Sequence, residues 1–170
     1  FSQRYSGIYA IQRRILKNTT GNKLIFEEHN IDLGLTFCYG WMNSDQFGWI
    51  KKSWLTNNTS QSIEVRLVDG LQNILPYGVN QFTQSKFSTL VDAYKKSELI
   101  ASVSLALFRM ESLMADRAEP SEALRTTTVR TYGLENNLYL LSSNQLNAFR
   151  HGSAITNETE SKGVRGAFFI

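Results

Sequence analysis

The stretch IDLGLTFCYGW, residues 31–41, decides the fold, because it places an apolar side chain at every second position. Successive side chains of a strand point to opposite faces of a sheet, so this period of two is typical of a half-buried strand. A helix would spread the same side chains around its circumference. Gly34 and Gly40 lie within the stretch and indicate bulges or close backbone approaches. The stretch therefore predicts a central β-strand.

Two further strand patterns precede this stretch. Residues 5–17 and 23–29 are rich in apolar, β-branched and aromatic residues, and the glycine-containing loop 18–22 joins them. Two such runs with a short loop between them predict an antiparallel hairpin.

Strand patterns also follow the stretch. Residues 47–55 predict a strand, and Ile63, Val65 and Leu67 alternate with polar residues up to the turn signal at 69–70. Near the carboxyl end, β-branched or apolar runs predict three more strands, at residues 126–132, 138–141 and 163–170.

The middle of the chain has a different pattern. Residues 85–96 contain no glycine or proline and place apolar side chains at helical spacing, which predicts a short helix. Residues 98–114 fit either a helical face or a strand, and the pattern slightly favours the helix. Many strands with one helical insert near 85–96 predict a mainly all-β fold, an antiparallel β-sandwich, over a single domain 1–170.

Composition excludes several classes of protein. The chain has 170 residues, of which 42% are hydrophobic and 19% charged, and its net charge is +3. No apolar run reaches the roughly 20 residues that cross a bilayer, so we expect a soluble protein with no membrane partner. The basic residues occur in pairs and not as a block, so we expect no nucleic-acid partner.

The usual signatures of catalysis and cofactor binding are absent from the sequence. Cys38 is the single cysteine and excludes an internal disulfide, while His29 and His151 lie too far apart for a zinc motif. Glycine-rich phosphate-binding motifs are also missing, so we expect no metal and no cofactor. Glycosidases use two carboxylates, and Asp116 and Glu119 are the alternative catalytic candidates. The competing interpretation, which we favour, is a loop that satisfies its own charges, because spacing alone cannot place both carboxylates across a bond.

All three tryptophans, Trp41, Trp49 and Trp54, fall within one short region and form the candidate carbohydrate-binding residues. Exposed aromatic rings can stack on the C–H face of a sugar. The competing interpretation is that these residues fill the sandwich core, and the large area that aromatic side chains bury favours it. Carbohydrate binding through these residues predicts that two or more of them are exposed and coplanar, and full burial of all three would exclude it.

Two stretches carry a resemblance to a known family: VRLVDGLQNILPYGV at 65–79 and SLMADRAEPSEALRTTTV at 112–129. They resemble the N-terminal β-sandwich of large carbohydrate-active proteins related to glycoside phosphorylases such as cellobiose phosphorylase. That sandwich is similar to the galactose-mutarotase-like supersandwich. The resemblance implies a strand from about residue 101, so we predict a strand there against the slight helical preference of the pattern.

The resemblance also implies a role. In that family the catalytic acid lies in a helical barrel that follows the sandwich, so no catalytic residue is expected in this chain. The non-methionine start and the apolar end AFFI agree with a piece excised from a longer chain. The expected function is a non-catalytic accessory or structural domain whose partner is the catalytic domain of the same parent glycoside hydrolase or phosphorylase, with a loop that contributes to its active site or to a homodimer contact. The alternative is a stand-alone carbohydrate-binding module.

Overall fold

The computed structural model describes residues 7–112, 124–135 and 137–170. Most of the regular secondary structure of these residues is strand, all the sheets are antiparallel and the helices are short, which confirms the predicted fold class. Among them, no helix combines the length and the apolar character needed to span a membrane. The chain divides into two compact units, Phe1–Leu67 and Val68–Ile170. The prediction of a single domain stays a prediction.

The first unit is a four-stranded meander in which each strand pairs with the next along the chain. Its strands are β1 (Ile11–Lys17), β2 (Lys23–Asn30), β3 (Leu35–Ser44) and β4 (Gly48–Asn57). The predicted first hairpin is confirmed, and the backbone N–H of Lys23 donates to the side chain of Asn18 at 2.9 Å to close its loop.

The central strand begins four residues later than its pattern suggests. Residues 31–34 form a turn, and β3 starts at Leu35. Gly34 has a φ of +62°, and a Cβ at this position would lie 2.4 Å from Cγ2 of Thr59. The expected close approach at Gly34 is therefore confirmed, and it explains why the alternation at 31–33 belongs to a turn.

The second unit contains two sheets. Strands β5 (Gly70–Ile74) and β10 (Gly166–Phe169) form a two-stranded sheet, and the four-stranded sheet has the order β8-β7-β6-β9. The strands of this larger sheet are β6 (Lys95–Ile100), β7 (Leu105–Met110), β8 (Thr127–Arg130) and β9 (Glu160–Lys162). The helices of the second unit are α1 (Gln81–Lys86), α2 (Ser88–Ala93) and α3 (Leu146–Arg150).

The buried core lies around β10. Phe168 packs with Ala106 and Phe108 of β7, while Ala167 and Phe169 pack into a second cluster with Leu140 and Leu146. Alternate residues of β10 therefore face two different apolar clusters. A strand buried on both faces needs a continuous apolar sequence, which is the physical reason for the run AFF.

The helical insert differs from its predicted bounds of 85–96. Two helices, α1 and α2, occupy 81–93, and Phe87 separates them with a non-helical ψ of 34°. The side chain of Asn80 accepts from the N–H of Thr83 at 2.8 Å and caps α1, which fixes the earlier start. Lys95 and Lys96 belong to β6 because their backbones pair with β7.

Of residues 98–114 the structure describes 98–112, and these confirm the prediction of strand over helix. β6 and β7 form a hairpin around a single 3-10 turn at Ala101–Val103. Ser104 follows this turn in the left-handed region, with φ 51° and ψ 41°, and so reverses the chain. Ala106, Phe108 and Met110 alternate along β7 and are buried, so the strand-like part of the ambiguous pattern forms the core face.

Two predictions near the junction of the units are wrong. Ile63, Val65 and Leu67 do not form a strand, because none of them has a ladder partner among the described residues. Asp69 and Gly70 do not form a turn; the N–H of Asp69 donates to the carbonyl of Ile170 at 3.1 Å, and β5 begins at Gly70.

The remaining predicted strands are confirmed at β4, β8 and β10. The strand predicted at 138–141 is reduced to one bridge, in which Leu140 and Phe169 exchange backbone hydrogen bonds of 3.0 Å in both directions.

Candidate functional site

The register of the first sheet assigns its side chains to two faces. Directly paired residues of neighbouring strands share a face, and alternate residues of one strand lie on opposite faces. Tyr39 pairs with Phe26 and lies two residues from both Phe37 and Trp41 on β3. These residues, together with Trp49 of β4, define what we call the aromatic face.

Ring contacts connect the side chains of the aromatic face. Phe26 and Tyr39 stack with centroids 4.8 Å apart and planes 13° apart. Trp41 and Trp49 contact edge to face, with centroids 6.5 Å apart and planes at 81°. Trp49 is 72% exposed, so much of its ring is open to solvent. The face therefore carries two groups of contacting rings, Phe26–Tyr39–Phe37 and Trp41–Trp49, and Trp49 is the more exposed member of the second group.

Charged groups border the aromatic face. The ammonium of Lys51 lies 5.3 Å from the centroid of the Tyr39 ring, within the range of a cation–π contact. Arg13 and Glu28 are cross-strand partners on the same face and form a 2.8 Å ion pair. The surface thus combines apolar rings with hydrogen-bonding groups at its edge.

The opposite face of the sheet carries a shallow polar cavity of about 280 Å³, which we call the polar cleft. Its lining residues come from β1, β2, the start of β3 and the residue after β4: Gln12, Arg14, Glu27, His29, Thr36 and Asn58.

Hydrogen bonds organise two parts of the polar cleft. Thr36 Oγ1 accepts from Nδ2 of Asn58 at 2.8 Å and lies 2.8 Å from Nδ1 of His29. Arg14 donates through Nε to Oε1 of Glu27 at 2.7 Å, and the two groups form an ion pair. The cleft therefore contains one ion pair and one hydrogen-bonded chain of Asn58, Thr36 and His29.

Cys38 pairs with Glu27 on the neighbouring strand and is only 3% exposed. Burial raises the pKa of its thiol, and the nearby carboxylate of Glu27, 3.8 Å from the sulfur, raises it further. A protonated thiol is a poor nucleophile, and the buried Cys38 packs as a small apolar residue.

The three tryptophans do not form one site. Trp41 and Trp49 share the aromatic face, but Trp54 pairs with Cys38 on the opposite face. None of the three is fully buried, so the interpretation that they fill the core is wrong. Small residues in β3 are buried instead, because Trp54 and Glu27 flank Cys38 on the neighbouring strands. Trp41 is half-buried and Trp49 is exposed, but their planes lie at 81°, so the prediction of coplanar tryptophans is wrong.

The other sequence candidates have different outcomes. Asp116 and Glu119 lie outside the described residues. His29 lines the polar cleft, whereas Nδ1 of the exposed His151 lies 2.7 Å from the carbonyl of Asn147. Within the part of the chain that the structure describes, no three His, Cys, Asp or Glu side chains form a cluster able to hold a metal ion.

Sequence reasoning missed the polar cleft. Its residues come from the predicted hairpin, and the available signal was the pairing of Arg14 with Glu27 and of Gln12 with His29. These pairs can be assigned only when the register of the hairpin is known, and the sequence of the loop at 18–22 does not define that register.

Comparison with known proteins gives no family for this chain. No protein-family model matches it, and no curated protein matches its sequence.

Proposed function

We propose that this chain is a non-catalytic accessory domain of a carbohydrate-active protein and that its aromatic face contacts carbohydrate. The observation that carries this proposal is the Trp41–Trp49 pair on a sheet face, with Trp49 72% exposed. The link to carbohydrate-active proteins rests on the resemblance of residues 65–79 and 112–129.

The physical argument concerns exposed apolar area. Contact between apolar side chains and water is unfavourable, so covering an exposed aromatic patch with a ligand lowers the free energy. Contiguous apolar patches on soluble proteins mark binding surfaces. The edge-to-face arrangement leaves the planar face of one ring available for stacking while the other ring supports it. Lys51 and the Arg13–Glu28 pair add hydrogen-bonding groups beside the rings, as sugar hydroxyls require.

Calorimetry with soluble polymeric glycans, together with tryptophan fluorescence, tests this proposal. We expect binding that perturbs the tryptophan fluorescence. Trp49→Ala should weaken this binding at least about fivefold, since removing an aromatic ring on which a nucleic-acid base stacks costs about 1–3 kcal/mol. Trp54→Ala is the matched control, because Trp54 lies on the opposite face. Absence of binding to every glycan, or equal loss in both variants, would contradict the proposal.

A second candidate function is packing of the same face against the catalytic domain of the parent protein. Ile15 and Leu55 lie on this face and are 63% and 38% exposed. Aliphatic side chains do not stack on sugars, but they are readily buried by another protein surface. Ile15→Lys should then weaken association with that domain without changing glycan binding. Weaker glycan binding with unchanged association would exclude packing.

A further inference from the structure

We propose that the polar cleft binds a single neutral polyhydroxylated ring, such as one sugar residue or a cyclic polyol. This site lies on the face opposite to the aromatic face, so it is independent of the proposed function. Its lining residues Gln12, Arg14, Glu27 and His29 come from neighbouring positions of one hairpin.

The spacing of these four side chains fits one ring. Gln12 pairs with His29 and Arg14 pairs with Glu27, and the two pairs are two residues apart along the strands. Paired strands lie about 4.8 Å apart, and two residues advance a strand by about 6.7 Å. The hydrogen-bonding groups therefore rise from the corners of an area of about 5 by 7 Å. The cleft volume of about 280 Å³ lies just below the roughly 300–1,000 Å³ of pockets for drug-sized ligands.

The charge of the cleft favours a neutral ligand. Arg14 and Glu27 form an ion pair, so their formal charges cancel. An anion placed there would approach the Glu27 carboxylate, and a cation would approach the Arg14 guanidinium. A polyol has O–H groups that both donate and accept, so neighbouring hydroxyls can donate to the carboxylate and accept from the guanidinium.

The hydrogen-bond chain through Thr36 engages Nδ1 of His29. The Asn58 amide N–H donates to Thr36 Oγ1, which also lies 2.8 Å from Nδ1 of His29. A ligand hydroxyl both donates and accepts, so it can pair with Nε2 of His29 in either tautomer. The exposed side chain of Gln12 contributes one amide donor and one acceptor on the same edge of the cleft.

Three probes test the site on the full 170-residue chain: methyl glycosides of common hexoses, myo-inositol and inorganic phosphate. Two-dimensional NMR titration measures affinity and locates the shifted signals. We expect saturable binding of at least one neutral probe, with shifts on β1 and β2. Glu27→Gln should weaken binding about tenfold, because hydrogen bonds to charged groups contribute about 1.5–3 kcal/mol. Gln12→Ala should weaken it about fivefold, as expected for a neutral hydrogen bond of about 1 kcal/mol.

Glu64→Gln is the matched control for Glu27→Gln, because it removes the same charge from an exposed segment outside the cleft, and it should leave this binding unchanged. Unchanged urea midpoints for Gln12→Ala would show that the fold is intact. Failure of every neutral probe to bind, or tighter binding of phosphate, would overturn the inference. Loss of small-glycoside binding in Trp49→Ala but not in Glu27→Gln would also overturn it, and would assign these ligands to the aromatic face.

Discussion

Gly70 lies at the start of β5, where the backbone of β10 approaches it closely. A Cβ at this position would lie 2.0 Å from the carbonyl oxygen of Phe168 and 2.7 Å from Cα of Phe169. Backbone atoms of a buried strand cannot move aside without breaking the sheet. The absence of a side chain at Gly70 is therefore what allows β5 and β10 to pair.

Gly70→Ala should consequently destabilise the chain by at least about 1–3 kcal/mol, the usual cost of overpacking a close-packed interior. Urea unfolding measures the effect. Gly7→Ala is the control, because nothing lies within 4 Å of the added Cβ at Gly7. Equal midpoints for the two variants would contradict this explanation.

Cys38 allows a second prediction at the scale of one residue. Burial and the Glu27 carboxylate both raise the pKa of its thiol, so the reactive thiolate is scarce at neutral pH. We expect iodoacetamide to label the native chain at least about tenfold more slowly than the chain in urea, where burial no longer opposes ionisation. Equally fast labelling in both conditions would show that Cys38 is accessible in the native state.

At the scale of one element, β6 carries an ion-pair network on the outer face of its sheet. Glu98 accepts from Lys96 at 2.8 Å and from Arg109 at 3.0 Å. The hydrogen bond from Lys96 is the largest cause that lowers the pKa of Glu98 below its ordinary value of 4.5. The hydrogen bond from Arg109 lowers it further, and partial burial opposes the shift. The unfolded chain therefore takes up this proton at a higher pH than the folded chain does.

The stabilisation from Glu98 is thus complete above about pH 4.5 and is lost as the pH falls through its lowered pKa. We expect the urea midpoint of the native chain to fall more steeply than that of Glu98→Gln between about pH 5 and about pH 3. Glu64→Gln provides a control in the exposed segment before β5. Identical pH profiles for the native chain and Glu98→Gln would contradict the role of this network.

The junction between α2 and β6 contains a buried ion pair. The Lys95 side chain is 3% exposed and donates to Asp92 at 2.8 Å and to Gln84. Arg165 also donates to Asp92, at 3.3 Å. Burial alone would raise the pKa of Asp92, but the hydrogen bonds from Lys95, Gln84 and Arg165 together lower it. Asp92 therefore joins the helix to two separate parts of the second unit.

Asp92→Asn should destabilise the second unit by about 3 kcal/mol, because it leaves the Lys95 ammonium buried without its counter-charge. Lys95→Met should cost less, since it removes the buried charge itself while Gln84 and Arg165 still contact Asp92. Thermal unfolding of both variants and of the double variant measures the coupling. A larger loss of stability in Lys95→Met than in Asp92→Asn would contradict this order.

At the scale of the whole molecule, burial differs between the two units. The two buried hydrophobic clusters of the described residues belong to the second unit, whereas Cys38 is the buried hydrophobic residue described in the first. Buried apolar area is the main favourable term in folding. We therefore expect the first unit to unfold at a lower concentration of denaturant.

The position of the tryptophans makes this testable in one experiment. All three lie in the first unit, so tryptophan fluorescence reports on that unit, while far-UV circular dichroism reports on both. We expect the fluorescence transition in urea to precede the circular dichroism transition, since coincidence of probes is the mark of two-state unfolding. Coincident transitions would contradict independent units and would support the predicted single domain.

The sequence by itself determined the β class, the first hairpin and most strands of the described chain. These features follow from side-chain alternation and turn residues, which act over a few neighbouring positions. The same local signals failed at Ile63–Leu67, because alternation describes a strand only where a partner strand is present. They also predicted a turn at Gly70, which instead begins β5. The role of Gly70 depends on β10, nearly 100 residues away in the sequence.

Only the tertiary structure decided which surfaces are available for binding. Lys17 pairs with Leu24, and this register places Arg14 opposite Glu27; a shift of one residue would place it opposite Phe26 and dismantle the polar cleft. The exposure of Trp49 and the separation of Trp54 from the other tryptophans likewise depend on sheet pairing and on what packs over each face. Register and coverage arise from contacts between distant segments, and alternation along one strand carries no information about either.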